Sequence, residues 1–164
     1  MQDVLARQRA AFMAELPVGL AVRKDRLARA AAMIADNAAA FCDALSEDFG
    51  HRSREQSMLT DIAASIAPIK HAIKSLDRWA RRDNRAVQFP LGLLGARAWV
   101  EYQPKGVVGV IAPWNFPVNL VMGPIAGIFA AGNRAMVKTS EFTARTAALF
   151  EEVSPKYFAI EELA

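Results

Sequence analysis

The longest apolar pattern of the chain lies in its second half. Val107–Ala112 is an unbroken, mostly β-branched stretch, typical of a strand buried on both faces of a parallel sheet. After a corner at Pro113–Pro117, the apolar segment Val118–Ala131 is compatible with a helix, and Gly132-Asn133 favours a left-handed helix end. A second short strand is expected at Ala135–Val137. The pattern therefore predicts a βαβ unit.

Polar residues follow both predicted strands. Asn115 lies just beyond the first, whereas Lys138 and Glu141 follow the second. Open parallel sheets bind their ligands at the carboxyl ends of the strands. These three residues are therefore candidates for a binding or catalytic site.

The first 82 residues carry helical patterns. We expect a first helix at Asp3–Leu16 and a second along the apolar face formed by Leu20, Leu27, Ala31 and Ile34. A third helix is expected at Ala38–Asp48, with Asp36-Asn37 as its cap and Gly50 as its stop. A further stripe with helical spacing comprises Met58, Ile62, Ile66, Ile69, Ile73 and Leu76. Pro68 predicts a kink or break in that helix.

The remaining segments complete the predicted organisation. Glycines and a partly alternating pattern predict a β-hairpin within 83–105, whose second half covers Arg97–Tyr102. Thr143 is an N-cap candidate for a helix at Ala144–Val153, Ser154-Pro155 ends it, and Ala159–Ala164 is expected to be a polar tail. We predict an α/β fold: an N-terminal helical segment, a hairpin, and the first βαβ unit of a doubly wound, Rossmann-like parallel sheet over 106–164. The domain would be incomplete, with a third strand expected after residue 164.

Composition limits the class of protein. With 53% hydrophobic and 23% charged residues, the 164-residue chain is typical of a soluble globular protein. No apolar run approaches the roughly 20 residues of a membrane helix, and the N-terminus lacks the apolar core of a secretory signal. The single cysteine, Cys42, fits a reducing compartment, so we expect a cytoplasmic protein without membrane contact.

Basic residues cluster around Trp79. The formal net charge is +3, and Arg78, Arg81, Arg82 and Arg85 lie close together. Such a cluster with an aromatic residue occurs at nucleic-acid interfaces, but also at solvated helix ends, where cations are favoured by the helix dipole. The second interpretation is preferred, and no nucleic-acid partner is expected.

The compound motif P-W-N-F-P, then A-G-N, then V-K-x-S-E resembles the aldehyde dehydrogenase superfamily. The segments EDFGHRSREQ and FPLGLLGARAWVEYQPKGVVGVIAPWNFPVNL resemble its coniferyl aldehyde dehydrogenase branch, close to the class 3 enzymes. The resemblance extends from about Leu16 to Ala164. One departure is Thr139, where the family usually has proline.

The resemblance implies a reaction and a catalytic residue. The family oxidises aldehydes to carboxylic acids through attack by a cysteine thiolate, hydride transfer to a nicotinamide, and thioester hydrolysis. Asn115 matches the residue whose side-chain amide stabilises the oxyanion. The alternative is that Asn115 only bonds backbone groups in a tight corner.

The resemblance also implies a cofactor site. Ala112, Pro113 and Trp114 match the surface beside the nicotinamide and its ribose, although Trp114 could also be a core residue. Lys138 and Glu141 match the pair that holds the adenosine ribose, and their alternative is a weak surface ion pair. NAD is the expected cofactor, with NADP as the alternative, because a carboxylate disfavours a 2′-phosphate.

The chain lacks other chemistry that the family needs. It contains neither the F-x-x-x-G-Q-x-C segment of the nucleophile nor the E-L-G-G run of the general base. Cys42 lies in a helical apolar context and does not match the nucleophile, and with His51 and His71 it makes no metal-binding spacing. We therefore expect the N-terminal part of a longer enzyme, homo-oligomeric when complete and inactive as this piece. The rival interpretation is a non-catalytic, subunit-binding module.

Overall fold

Helices form most of the first half of the chain, as the apolar pattern predicts. A computed structural model describes residues 1–164. The helices are α1 (Gln2–Glu15), α2 (Leu20–Asp36), α3 (Ala38–Phe49), α4 (Arg54–Ser57), α5 (Ala64–Trp79), α6 (Asn119–Ala130) and α7 (Ala144–Tyr157). Helices α2, α5 and α6 pack together, and α3 packs against α7. The side chains at the centre of this core include Leu27, Ile34, Phe41, Ile69 and Phe129.

The chain is helical without interruption from Arg54 to Trp79, so of the kink or break predicted at Pro68, the break does not occur. Pro68 lies inside α5, close to its start. The irregularity lies earlier, where Met58–Ala63 forms a π-helical turn between α4 and α5. Ile62, Ile69 and Leu76 are buried as predicted, whereas Met58 is 41% exposed.

A hairpin joins the helical segment to the parallel sheet. Strand β1 (Asp83–Arg85) pairs antiparallel with β2 (Ala98–Val100), so the predicted hairpin forms with only three residues in each strand. The connection includes a 3₁₀ turn at Leu91–Leu94, and its apolar side chains are mostly exposed to solvent.

The predicted βαβ unit is present. Strand β3 (Val107–Ile111) pairs in parallel with β4 (Arg134–Lys138), in a register that places Val107 opposite Arg134 and Ile111 opposite Lys138. Helix α6 packs on one face of the pair, and α1 contacts both strands. The two-face burial that is typical of such an apolar strand is not complete in β3: Val110 is buried, whereas Ile111 is 83% exposed.

Two predictions for the last 20 residues are wrong. Helix α7 continues through Ser154-Pro155 to Tyr157, and a proline in its last turn removes only one backbone hydrogen bond. Ala159–Ala164 is not a free polar tail. Leu163 is 7% exposed and forms a parallel bridge with Ala135, so pairing of a third strand beside β4 begins before residue 164.

The end of α6 is fixed as the sequence predicts. Gly132 has a φ of +82°, and a Cβ there would lie 2.8 Å from Nε of Arg23. The side-chain oxygen of Asn133 then accepts hydrogen bonds from the backbone amides of Lys105 and Gly106, at 2.6 and 2.9 Å. The turn that ends α6 therefore also holds the entry to β3.

Ion pairs hold the segment Ala159–Ala164 in place beside β4. The Glu162 carboxylate lies 2.8 Å from Nε of Arg26 and 2.8 Å from an Nη of Arg29. Burial alone would raise the pKa of Glu162, but hydrogen bonds from Arg29 and Arg26 outweigh it and lower the pKa to about 2. Glu162 is thus ionised whenever the chain is folded near neutral pH.

We predict that Glu162→Gln lowers the free energy of unfolding at pH 7 by about 1–2 kcal/mol, after allowance for solvent screening. The folded-state pKa is below the ordinary value of 4.5, so the ionised group stabilises the fold above about pH 4.5. This stabilisation is lost as the pH falls towards 2. Urea unfolding at a series of pH values measures it.

Glu152→Gln is the matched control, because Glu152 forms an exposed pair with Lys156 at 2.8 Å. It should leave the unfolding curves almost unchanged. Identical acid profiles for wild type and Glu162→Gln would contradict the assigned role of Glu162.

Candidate functional site

The carboxyl ends of β3 and β4 are joined directly. The backbone amide of Ala112, which is the residue after β3, donates a hydrogen bond of 3.0 Å to the carbonyl of Lys138 at the end of β4. The two groups of predicted site residues, one after each strand, are therefore neighbours at one edge of the sheet.

The Pro113–Pro117 corner presents its middle residues to solvent. Ala112 is buried at 6% exposure, whereas Pro113 and Asn115 are exposed and Trp114 is 53% exposed. The Trp114 indole lies beside the Phe49 ring, with 6.3 Å between centroids, rather than inside the core. The only hydrogen bond at Asn115 is accepted by its backbone carbonyl.

A buried carboxylate caps the helix that follows this corner. Oδ1 of Asp61, in the π-helical turn, accepts hydrogen bonds from the amides of Val118 and Asn119 at 3.1 and 3.2 Å. Asp61 is completely buried. Helix N-termini are common phosphate sites, but at α6 this position is occupied by a side chain of the protein itself.

Arg52 completes the support of the corner. One Nη lies 2.8 Å from Oδ2 of Asp61, and the other donates to the carbonyl of Asn115 at 3.2 Å. The guanidinium lies over the rings of Phe49 and Phe116, at 5.0 and 5.1 Å from their centroids. Backbone groups of the corner are therefore bound by Arg52 and Asp61, and not by the Asn115 amide.

Lys138 and Glu141 form an exposed ion pair at 2.7 Å. The hydrogen bond from Lys138 lowers the pKa of Glu141, with further contributions from a backbone hydrogen bond and the Lys138 charge. Both residues line an open cavity of about 880 Å³ between β4, α7 and Leu163-Ala164. Trp114 and Asn115 lie outside this cavity, so the structure places the predicted residues in two adjoining surfaces.

Comparison with known proteins decides the family. The model of the aldehyde dehydrogenase family matches residues 2–157. The chain belongs to this family. The resemblance that its motifs show is thereby confirmed, and the family is one of oxidoreductases.

Individual relatives agree with this assignment. The chain is 50% identical to the coniferyl aldehyde dehydrogenase of Pseudomonas sp. strain HR199 over 98% of its own length and 33% of the relative's. It is 48% identical to a probable coniferyl aldehyde dehydrogenase of Caulobacter vibrioides, over 100% and 34% of the two chains. It thus spans about a third of the length of the curated relatives that it matches.

Solved structures show the same fold. A substrate-bound structure of AldH from Staphylococcus aureus superposes with a TM-score of 0.90 at 28% identity, over 99% of this chain and 35% of that one. The helical segment, hairpin and incomplete parallel sheet are therefore part of the aldehyde dehydrogenase fold.

Arg52 and Asp61 could not be identified as site residues from the sequence of this family member. A signal was present: Ser57, Asp61 and Ser65 recur every four residues beside the apolar stripe, and all three are buried. A polar residue at core spacing indicates an internal hydrogen-bond partner. That partner could not be named from sequence, because Val118 lies 57 residues further along the chain.

The remaining polar candidates of the chain lie outside the site. Cys42 is buried in the core, and burial raises the pKa of its thiol. No three histidine, cysteine, aspartate or glutamate side chains are grouped so that they could hold a metal ion.

Among the clustered arginines, Arg78 lies in the last turn of α5, while Arg82 pairs with Glu101 and lies over Trp99. None of the helices combines the length and apolar character that a membrane crossing requires.

Proposed function

We propose that this chain supplies the oxyanion-binding corner and the ribose-binding edge of an NAD-dependent aldehyde dehydrogenase. The substrate class would be aldehydes like coniferyl aldehyde, and the product the carboxylic acid. The observation that carries the proposal is the exposed Asn115, held at the carboxyl end of β3 in a chain that matches the family over nearly its whole length.

The role of Asn115 follows from its chemistry. When a thiolate attacks an aldehyde, the carbonyl oxygen becomes an oxyanion, which a fixed N–H donor stabilises. The exposed side-chain amide of Asn115 is such a donor, and its backbone is anchored by Arg52. The nucleophile itself would come from a region beyond the matched third of the relatives, since Cys42 is buried in the core.

The Lys138–Glu141 pair is suited to the ribose of a nicotinamide cofactor. The exposed Glu141 carboxylate can accept hydrogen bonds from two ribose hydroxyls, and Lys138 can donate to them. Because Asp61 occupies the N-terminus of α6, the cofactor's phosphates would bind elsewhere. When bound, the nicotinamide would supply the acceptor for the hydride that leaves the substrate carbon. NADP is the alternative cofactor, with Lys138 facing the 2′-phosphate.

A second candidate function is a non-catalytic module that binds another subunit. Exposed apolar side chains on the hairpin segment favour it: Phe89, Leu93, Leu94 and Tyr102 are each 72–81% exposed. The same surface would serve homo-oligomer formation in a complete enzyme. The two functions differ in whether the chain can support catalysis at all.

A hybrid enzyme tests the proposed function. This chain replaces the matching third of the Pseudomonas relative, and oxidation of coniferyl aldehyde with NAD is assayed. We predict that Asn115→Ala lowers kcat by ~10²–10³-fold, or about 3–4 kcal/mol, with the KM for NAD nearly unchanged. Asn84→Ala on the exposed strand β1 is the control and should keep full activity. A fall in thermal stability with kcat intact would contradict the oxyanion role.

We predict that Glu141→Gln in this hybrid raises the KM for NAD. Loss of a charged hydrogen-bond acceptor costs about 1.5–3 kcal/mol, which corresponds to a roughly 10- to 100-fold increase. The kcat should change little, and the preference for NAD over NADP should weaken. Glu151→Gln is the control, since Glu151 lines the same cavity on α7. Equal KM values in both variants would exclude a ribose contact.

The 164-residue chain alone should show no aldehyde oxidation, because its only thiol is buried and a covalent step needs an accessible nucleophile. Turnover of coniferyl aldehyde with NAD is the measurement. Activity that disappears in Cys42→Ser would contradict both this expectation and the structural role of Cys42.

A further inference from the structure

We infer that the Arg52–Asp61 ion pair is a positioning device for Asn115, which sets the direction of its amide for the oxyanion. This inference rests on the proposed function. Neither residue would touch the substrate or cofactor. They would act through the backbone of the corner.

The pair binds the corner at its middle and directly after its end. Arg52 binds the carbonyl of Asn115 at 3.2 Å, and Asp61 binds the amides of Val118 and Asn119, where α6 begins. Both residues also bind each other, at 2.8 Å. Asn115 is therefore linked to the helical layer and to the start of α6 by a single pair of side chains.

Burial restricts the ion pair to one arrangement. The side chains of Arg52 and Asp61 are 6% and 0% exposed, so neither can exchange its partner for water. A buried charge whose partner moves away is strongly destabilised. The rings of Phe49 and Phe116 confine the plane of the guanidinium. Lysine could supply the charge, but not the planar, forked geometry that reaches both Asp61 and Asn115.

The chain contains a matched comparison for the carboxylate. Asp48 in α3 caps α7 in the same manner, accepting from the amides of Arg145 and Thr146 at 2.9 and 2.8 Å and from the Thr146 hydroxyl at 2.7 Å. Both aspartates reach from the helical layer to a helix that follows a strand. Only Asp61 adjoins the Asn115 corner, so only its loss should affect the direction of that amide.

The first test uses the 164-residue chain with Trp79→Phe and Trp99→Phe, which leaves Trp114 as the single tryptophan. We expect Asp61→Asn to increase quenching of Trp114 by acrylamide and to accelerate amide exchange at Val118 and Asn119. Asp48→Asn should accelerate exchange at Arg145 and Thr146 and leave Trp114 unchanged. Unaltered Trp114 quenching in a folded Asp61→Asn chain would overturn the inference.

The second test uses the hybrid enzyme. We expect Asp61→Asn and Arg52→Met each to lower kcat roughly 10- to 100-fold with the KM for NAD unchanged, as small misplacements of a catalytic group do. Arg52→Lys should recover part of the loss. Asp48→Asn should keep kcat, whatever stability it loses. Full kcat in folded Asp61→Asn and Arg52→Met hybrids would also overturn the inference.

The two proposals fail in different ways. An inactive wild-type hybrid would contradict the proposed function, and the quenching and exchange measurements on the chain would still decide whether the pair orders the corner. An active hybrid that is sensitive to Asn115→Ala but not to Asp61→Asn or Arg52→Met would support the function and contradict the positioning role.

Discussion

Asp61 is a fully buried carboxylate, and such a group is stable only where donors or an opposite charge replace the water it has lost. Arg52 and the first amides of α6 provide them. These contacts join a π-helical turn in the helical layer to the loop that carries Asn115. The interaction therefore ties the start of α6, and the corner by which the chain leaves β3, to the helical layer.

The sheet edge adds a second link. The hydrogen bond between Ala112 and Lys138 fixes the end of β3 relative to the end of β4, and Asn133 fixes the start of β3 from the turn after α6. The corner and the Lys138–Glu141 pair are thus held at one edge by backbone contacts. Under the proposed function, this edge would carry both the donor for the substrate's oxyanion and the acceptor for the cofactor's ribose.

Local patterns in the sequence were sufficient to predict the βαβ unit and the helix stops at Gly50 and Gly132. Apolar runs and glycines with a positive φ can be recognised because they depend only on neighbouring residues. The caps could not be predicted in this way. Asn37 and Thr143 occupy N-cap positions, yet neither side chain caps its helix. The α7 amides are bound instead by Asp48, which is 98 residues away. The motif likewise located Asn115, while its supports, Arg52 and Asp61, required the tertiary structure.

The central claim is that the Asn115 amide is held towards the reacting oxygen. The most direct measurement is a crystal structure of the hybrid enzyme with coniferyl aldehyde bound covalently to its catalytic cysteine. We expect a distance of about 2.7–3.1 Å between Nδ2 of Asn115 and the former aldehyde oxygen, with Arg52 still bound to the Asn115 carbonyl. An Asn115 side chain turned into the corner and bonded to its backbone would contradict it.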